Sequence, residues 1–231
     1  MVVFSFNSTR QDAVFTGFSL RWYEALGRDN KIVEGFWLSL QIALATGILS
    51  AVLGTFAELE MIIEAHPNAS FVYNEVYDQT NTSKSLLKAL RASQESGVLW
   101  LNGDVVFDSK VLERVADRIG SEKSFVCVNT SATAEEEVKY TVNGKGFIKE
   151  LSKTVKNALG EAVGINFISA HEKADVIKQL EACADQDYFE RGLELAIEKN
   201  GIEMEPVDIS DLFAVEVDFQ ADLDRANEGL K

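Results

Sequence analysis

Proline, cysteine and histidine each occur only twice in the 231 residues, and basic side chains are outnumbered by acidic ones. Two prolines and no low-complexity tract exclude a proline-rich linker or a disordered chain. Cys127 and Cys183 give at most one bridge, which excludes a disulfide scaffold and makes a reducing, cytoplasmic compartment the expectation. His66 and His171 have no cysteine or carboxylate at metal-ligand spacing and read as surface residues. With 22 basic against 37 acidic residues the net charge is −15, which argues against a nucleic-acid partner, since phosphate binding needs a basic footprint. What remains is 46% hydrophobic and 10% aromatic, enough for one large domain or two small ones with a buried core.

The charge is unevenly placed. Residues 1–56 carry four basic and four acidic side chains, so residues 57–231 hold the whole −15. A break of that kind predicts two regions, 1–56 and 57–231, of different origin. The first is dominated by an uncharged run from Gly35 to Ala57, bordered by Glu34 and Glu58. About 20 apolar residues span a bilayer as a helix, so this run predicts an apolar helix over 35–57 that can contact a membrane. The competing expectation is a buried core helix. A secretory signal does not fit, because the run starts far from Met1 and has no basic leader.

The second region alternates helices and strands. The spacing predicts a short helix over 57–66, a strand over 70–73 (SFVY), a helix over 82–94 with Leu86, Leu87 and Leu90 on one face, and a strand over 98–101. A helix follows Ser109 as its N-cap, then a core strand over 124–128. Residues 137–153, EVKYTV-NGKG-FIKELSK, predict a hairpin, in which Gly144 and Gly146 belong to a turn rather than a phosphate loop. A strand over 164–169, helices over 171–183 and 187–199, a strand over 214–218 and a helix from Ala221 complete the series. The expected fold is α/β, with a Rossmann-like, doubly wound, mainly parallel sheet carrying a β-hairpin insertion, preceded by the apolar helix.

Asp104 closes the apolar strand VLWL at its carboxyl end, where open α/β sheets place their ligand crevice, and Asp218 has a matching place after AVEV. Two such carboxylates can converge on one hard cation, since Mg²⁺ is held by one or two carboxylates plus substrate phosphates. Ordinary turn chemistry is the alternative for each.

The strings FVYNEVYDQTNTSKSL, LWLNGDVVFD, EVKYTVNGKGFIKELSK, GEAVGINFIS, QDYFERGLE and AVEVDFQADLDRA resemble, in order, the sugar-nucleotidyltransferase family over residues 57–231. They look most like its small cytidylyltransferases for phosphocholine, aminoethylphosphonate or inositol phosphate. The resemblance implies transfer of a nucleoside monophosphate from CTP or another NTP to a small phosphorylated or phosphonate amine, with Mg²⁺ as cofactor. It implies metal-binding, catalytic roles for Asp104 and Asp218. Asn81 and Ser83 in QTNTSKS fall where the family lines its substrate pocket, with helix capping as the alternative. The resemblance also implies that Asp187, Tyr188 and Glu190 form an acidic-aromatic motif near the acceptor, with a core position as the alternative for Tyr188, and that Glu161 faces the acceptor. It implies further that Lys139 and a catalytic Lys153 approach phosphates from the hairpin, with solvated surface lysines as the alternative.

Residues 2–57, through VVFSFNSTR, GFSLRWYEAL and FWLSLQIALATGILSAVLGTFA, resemble a fragment of polyamine-type ABC-transporter permeases. The nucleotidyltransferases instead begin with a strand and a glycine-rich loop bearing an arginine, followed by a Pro-Lys pair, and nothing in residues 1–56 matches these. Removal of a single donor to a developing charge costs about 10²–10³ in rate. The expectation is therefore a transferase impaired by that loss, or one completed by a second chain in an oligomer. The alternatives are an inactive or membrane-tethered fusion remnant and, third, a permease fragment.

Overall fold

The computed structural model describes residues 17–20, 24, 37, 60–131 and 137–229. The chain divides into two compact units, Met1–Ser70 and Phe71–Lys231. In the first, residues 60–65 are helical, within the range expected for the short helix, and Met61, Ile62 and Ile63 are exposed. The apolar helix expected over 35–57, and the join with the second region, lie outside the described residues apart from Trp37. Among the described residues no helix is long and apolar enough to cross a membrane.

The second unit opens with α1 (Thr82–Ala92), whose buried face is Leu86, Leu87 and Leu90. Burying a leucine as fully as Leu90, 1% exposed, contributes about 1.5–3 kcal/mol. Strand β1 (Val98–Leu101) and the short β2 (Val105–Phe107) lead into α2 (Lys110–Gly120). Ser109 does not cap α2; its backbone is already helical, and the Asp108 carboxylate accepts from the Lys110 amide at 2.9 Å instead. Then come β3 (Phe125–Asn129), the hairpin strands β4 (Lys139–Val142) and β5 (Ile148–Ser152), and the long β6 (Gly160–Ile168). Helices α3 (Lys173–Ala182) and α4 (Phe189–Asn200), strands β7 (Glu205–Asp208) and β8 (Ala214–Glu216), and α5 (Gln220–Gly229) complete the unit.

The central sheet runs β5-β4-β6-β3-β7, with β1 pairing along β6. Side chains alternate across it. Val126 and Val128 of β3 pack with residues of α1, α3 and α4, while Phe125 and Cys127 pack with Val111 and Val115 of α2, so helices cover both faces. The α/β class, the central sheet and the layered arrangement match the sequence expectation. Strands β1, β3 and β7 run in one direction; among the described residues β3 and β7 pair in parallel and the remaining pairings of this sheet are antiparallel, more than a mainly parallel sheet leads one to expect. The cause is the hairpin. Ser152 and Glu161 flank Lys139 on its two sides, so the chain steps across the end of β4, and β6 enters between β1 and β3 against both.

The hairpin itself follows its sequence signal. The Asn143 side chain accepts from the amides of Lys145 (2.9 Å) and Phe147 (3.2 Å), and Gly146 takes φ +88°, a conformation glycine adopts freely. The strand expected over 70–73 does not form. Phe71, Val72 and Tyr73 are exposed and no described strand pairs with them, so their backbone lacks the ladder that a strand requires. Strand β7 was illegible because it contains Pro206, which is tolerated there as an edge position of the sheet.

Candidate active site

Strands β2 and β8 leave the central sheet and form their own antiparallel ribbon, with Val105 opposite Glu216 and Phe107 opposite Ala214. The ribbon continues one step further, since the Val217 amide donates to the Asp104 carbonyl at 2.9 Å. Asp104 and Asp218 are therefore held together at one end of a ribbon, each beside the end of a strand.

Both carboxylates line a cleft of about 710 Å³. Of the other residues singled out from sequence, Lys153, Glu161, Tyr188 and Glu190 line the same cleft, whereas Asn81, Ser83, Lys139 and Asp187 do not. Asn81 caps α1, accepting from the Thr82 amide at 2.8 Å. Ser83 is fully buried in the first turn of that helix. Asp187 closes a turn, its carboxylate accepting from the Ala184 amide at 2.8 Å. The Lys139 ammonium donates to the Lys153 carbonyl at 3.3 Å. His66 and His171 are exposed, as expected.

The N-terminus of α4 forms one wall. Tyr188 supplies no side-chain cap, and Thr82 reaches over from α1 to accept from the Phe189 amide at 3.0 Å. That bond fixes Glu190 in the first turn of α4, where it is 8% exposed and its Oε2 has no partner. Burial pushes the Glu190 carboxyl up to about 7; repulsion from Glu216 adds to this, while its own backbone amide and the Lys153 charge work against it. The Lys153 ammonium lies 5.1 Å above the centre of the Tyr188 ring.

Sequence reasoning missed several polar residues of this cleft, among them Glu216, Asn102 and Asn166. Glu216 stands two residues before Asp218, and burial raises its carboxyl, with Glu137, Asp104 and Asp218 adding repulsion and a hydrogen bond from Asn102 opposing them. The alternation of AVEVD was the available signal, since residues two apart share a face of a strand. Asn102 owes its place to Gly164, which takes φ +72°; a Cβ there would sit 2.7 Å from the Asn102 Nδ2. Asn166 is 2% exposed with its Nδ2 unpartnered, a lone polar residue within the apolar run of β6.

Among the described residues the lining holds seven carboxylates against Lys153 and Arg225, and Arg225 is already paired with Asp222. Such a site attracts a cation between its carboxylates and repels bare phosphate. No three His, Cys, Asp or Glu side chains among the described residues are grouped so as to hold a metal unaided. Two carboxylates completed by phosphate oxygens are within the range of Mg²⁺ coordination.

Comparison with known proteins fits this geometry. About a fifth of a curated relative is spanned: 62 residues, 27% of this chain, are 39% identical to 22% of the putrescine transport system permease protein PotI of Escherichia coli K12. Among solved structures, the inositol-1-phosphate CTP transferase from T. maritima superposes with a TM-score of 0.51 at 16% identity, over 62% of this chain and 58% of that one. The CTP:phosphocholine cytidylyltransferase LicC of Streptococcus pneumoniae gives 0.55 at 14% identity, over 76% and 74%. HddC of Yersinia pseudotuberculosis gives 0.52 at 13%, over the same shares. These likenesses establish a shared fold. The model of the MobA-like NTP transferase domain matches residues 41–191, so this chain belongs to that family of nucleotidyltransferases.

Proposed function

We propose that the chain is a Mg²⁺-dependent nucleotidyltransferase moving a cytidylyl group from CTP to a small phosphate or phosphonate acceptor. An acceptor oxygen attacks the α-phosphorus, the bond to the bridging oxygen of the β-phosphate breaks, and pyrophosphate leaves with its electron pair. The observation that carries this reading is the ribbon-held pair of carboxylates, Asp104 and Asp218, lining an acidic cleft. Asp104 and Asp218 would hold Mg²⁺, and the ion would supply positive charge against the phosphates as negative charge develops. Lys153 presents an ammonium to the phosphates from the hairpin side of the cleft, and Glu161 and Glu190 face the acceptor. Little covalent work falls to the protein; its part is in-line positioning of two anions that otherwise repel. The cytidine assignment is supported by the CTP named for two of the solved relatives.

A second reading follows from residues 1–56, where no glycine-rich loop with an arginine and no Pro-Lys pair occurs. On that reading the chain is an inactive or membrane-tethered fusion of a permease-like segment with a transferase domain, the two meeting near residue 57. Purified chain with CTP, Mg²⁺ and a panel of small phosphate and phosphonate acceptors tests the first: pyrophosphate release is expected, reduced about 100-fold or more by Asp104→Ala. No release above a protein-free blank refutes turnover and leaves the second, for which sedimentation with lipid vesicles is the direct measurement.

A further inference from the structure

Lys153 and Arg225 are the two basic side chains among the described residues of the cleft lining, and they are held differently. Lys153 lies over the Tyr188 ring and its charge acts on Glu190, so it belongs with the hairpin and the start of α4. Arg225 stands on α5. Its Nη2 donates to the Asp222 Oδ1, while the Asp222 Oδ2 accepts from the amides of Phe219 (2.8 Å) and Asp218 (3.3 Å). The guanidinium is thus two hydrogen bonds from the backbone of Asp218, one of the ribbon-held carboxylates. The Asp222 side chain is 14% exposed and that of Arg225 65%, so the anchor is covered and the cation open. A guanidinium carries five N–H donors in a rigid fork, and among the described residues this pair engages Nη2 alone. An exposed i,i+3 ion pair adds little to stability, and Asp222 keeps both amide bonds without it. The fork is therefore available to an anion.

We propose that Arg225 binds polyphosphate, taking the pyrophosphate end of a nucleoside triphosphate while Asp222 holds the guanidinium beside Asp218. This rests on the transferase reading above and adds to it the group that receives the leaving charge. In-line displacement sets the entering and leaving oxygens on opposite sides of phosphorus. Lys153 stands with Glu190 on the acceptor's side in that reading, which leaves the cation of α5 for the leaving group. As the bond to the bridging oxygen breaks, its electron pair passes to the pyrophosphate. A planar fork can bond two of that anion's oxygens together, which the point charge of an ammonium does not. The cleft is otherwise rich in carboxylates, so a single guanidinium there has a large effect on whether a polyanion can enter.

Titration calorimetry on the full chain with Mg²⁺ and three probes, inorganic pyrophosphate, CTP and phosphoethanolamine, separates the sources of phosphate. Arg225→Ala should weaken pyrophosphate and CTP about tenfold or more and leave phosphoethanolamine unchanged, with the urea midpoint hardly moved. Arg225→Lys should restore part of the loss, since it returns the charge without the fork. Undiminished pyrophosphate affinity in Arg225→Ala, a loss confined to phosphoethanolamine, or a loss that comes with loss of cooperative unfolding overturns the assignment. If the native chain binds pyrophosphate through Arg225 but does not bind CTP, the transferase reading falls and the polyphosphate contact stands. A native chain that binds neither overturns both.

Discussion

Glu190 offers a quantitative test of how the site is built. Its carboxyl ionises near 4.5 in the unfolded chain and, pushed up by burial, at about 7 in the folded one. The folded state therefore disfavours the charged form. Stability from this group is fully present below the unfolded value and is lost as pH rises through about 7, beyond which the loss is constant. The interval between 4.5 and about 7 corresponds to about 3 kcal/mol. Glu190→Gln keeps the shape and removes the titration. Its unfolding free energy should rise relative to that of the native chain, making the variant the more stable by a further amount of about 2–3 kcal/mol on going from about pH 5 to about pH 8.5. Urea unfolding followed by tryptophan fluorescence at several pH values reads this as a widening difference in midpoint at constant m-value. A difference between the two proteins that stays flat across that range refutes both the burial and the cause assigned to it.

Other substitutions probe the scaffold. Lys173 is buried, and its ammonium donates to the Ser93 hydroxyl (3.2 Å) and to the carbonyls of Gln94 and Ser96 (3.0 Å for the latter), so Lys173→Met should cost about 2–4 kcal/mol in urea unfolding. Gly164→Ala forces a side chain into a left-handed conformation against Asn102 and should cost about 1–3 kcal/mol, measurable by the same method. The Cys127 thiol, fully buried and pushed up to about 12 by burial, should resist a thiol reagent until the chain unfolds, whereas labelling at the native-state mixing rate contradicts its placement.

Local signals in the sequence succeeded where a single segment decides its own structure. The hairpin turn is written in Asn143 and Gly146, and the face of α1 in the spacing of Leu86, Leu87 and Leu90. They failed where a distant partner decides. Residues 70–73 have the composition of a strand but no ladder to join, and β2 is a strand only because β8, far along the chain, pairs with it. The same division runs through the cleft. Asp104 and Asp218 stand out as residues closing apolar runs, and with Lys153, Glu161, Tyr188 and Glu190 they come from strings that resemble a family. Asn102 and Asn166 were illegible because what distinguishes them, a glycine that lets one approach and a missing partner for the other, exists only after folding. Asn81, conversely, looks functional in sequence and is occupied as a helix cap.

The three-residue ribbon of β2 and β8 also has a meaning for assembly. It joins chain positions separated by almost half the sequence, and each of its strands is too short to hold its partner alone. Closing a loop of that length precedes any reward from the contact, so the two carboxylates come together late, after the sheet has formed around β6. During synthesis Asp104 emerges well before Asp218, so the proposed cation site has one carboxylate until residue 218 follows. A half-made domain therefore carries its acidic cleft without the grip on Mg²⁺ and nucleotide that the finished one is proposed to have.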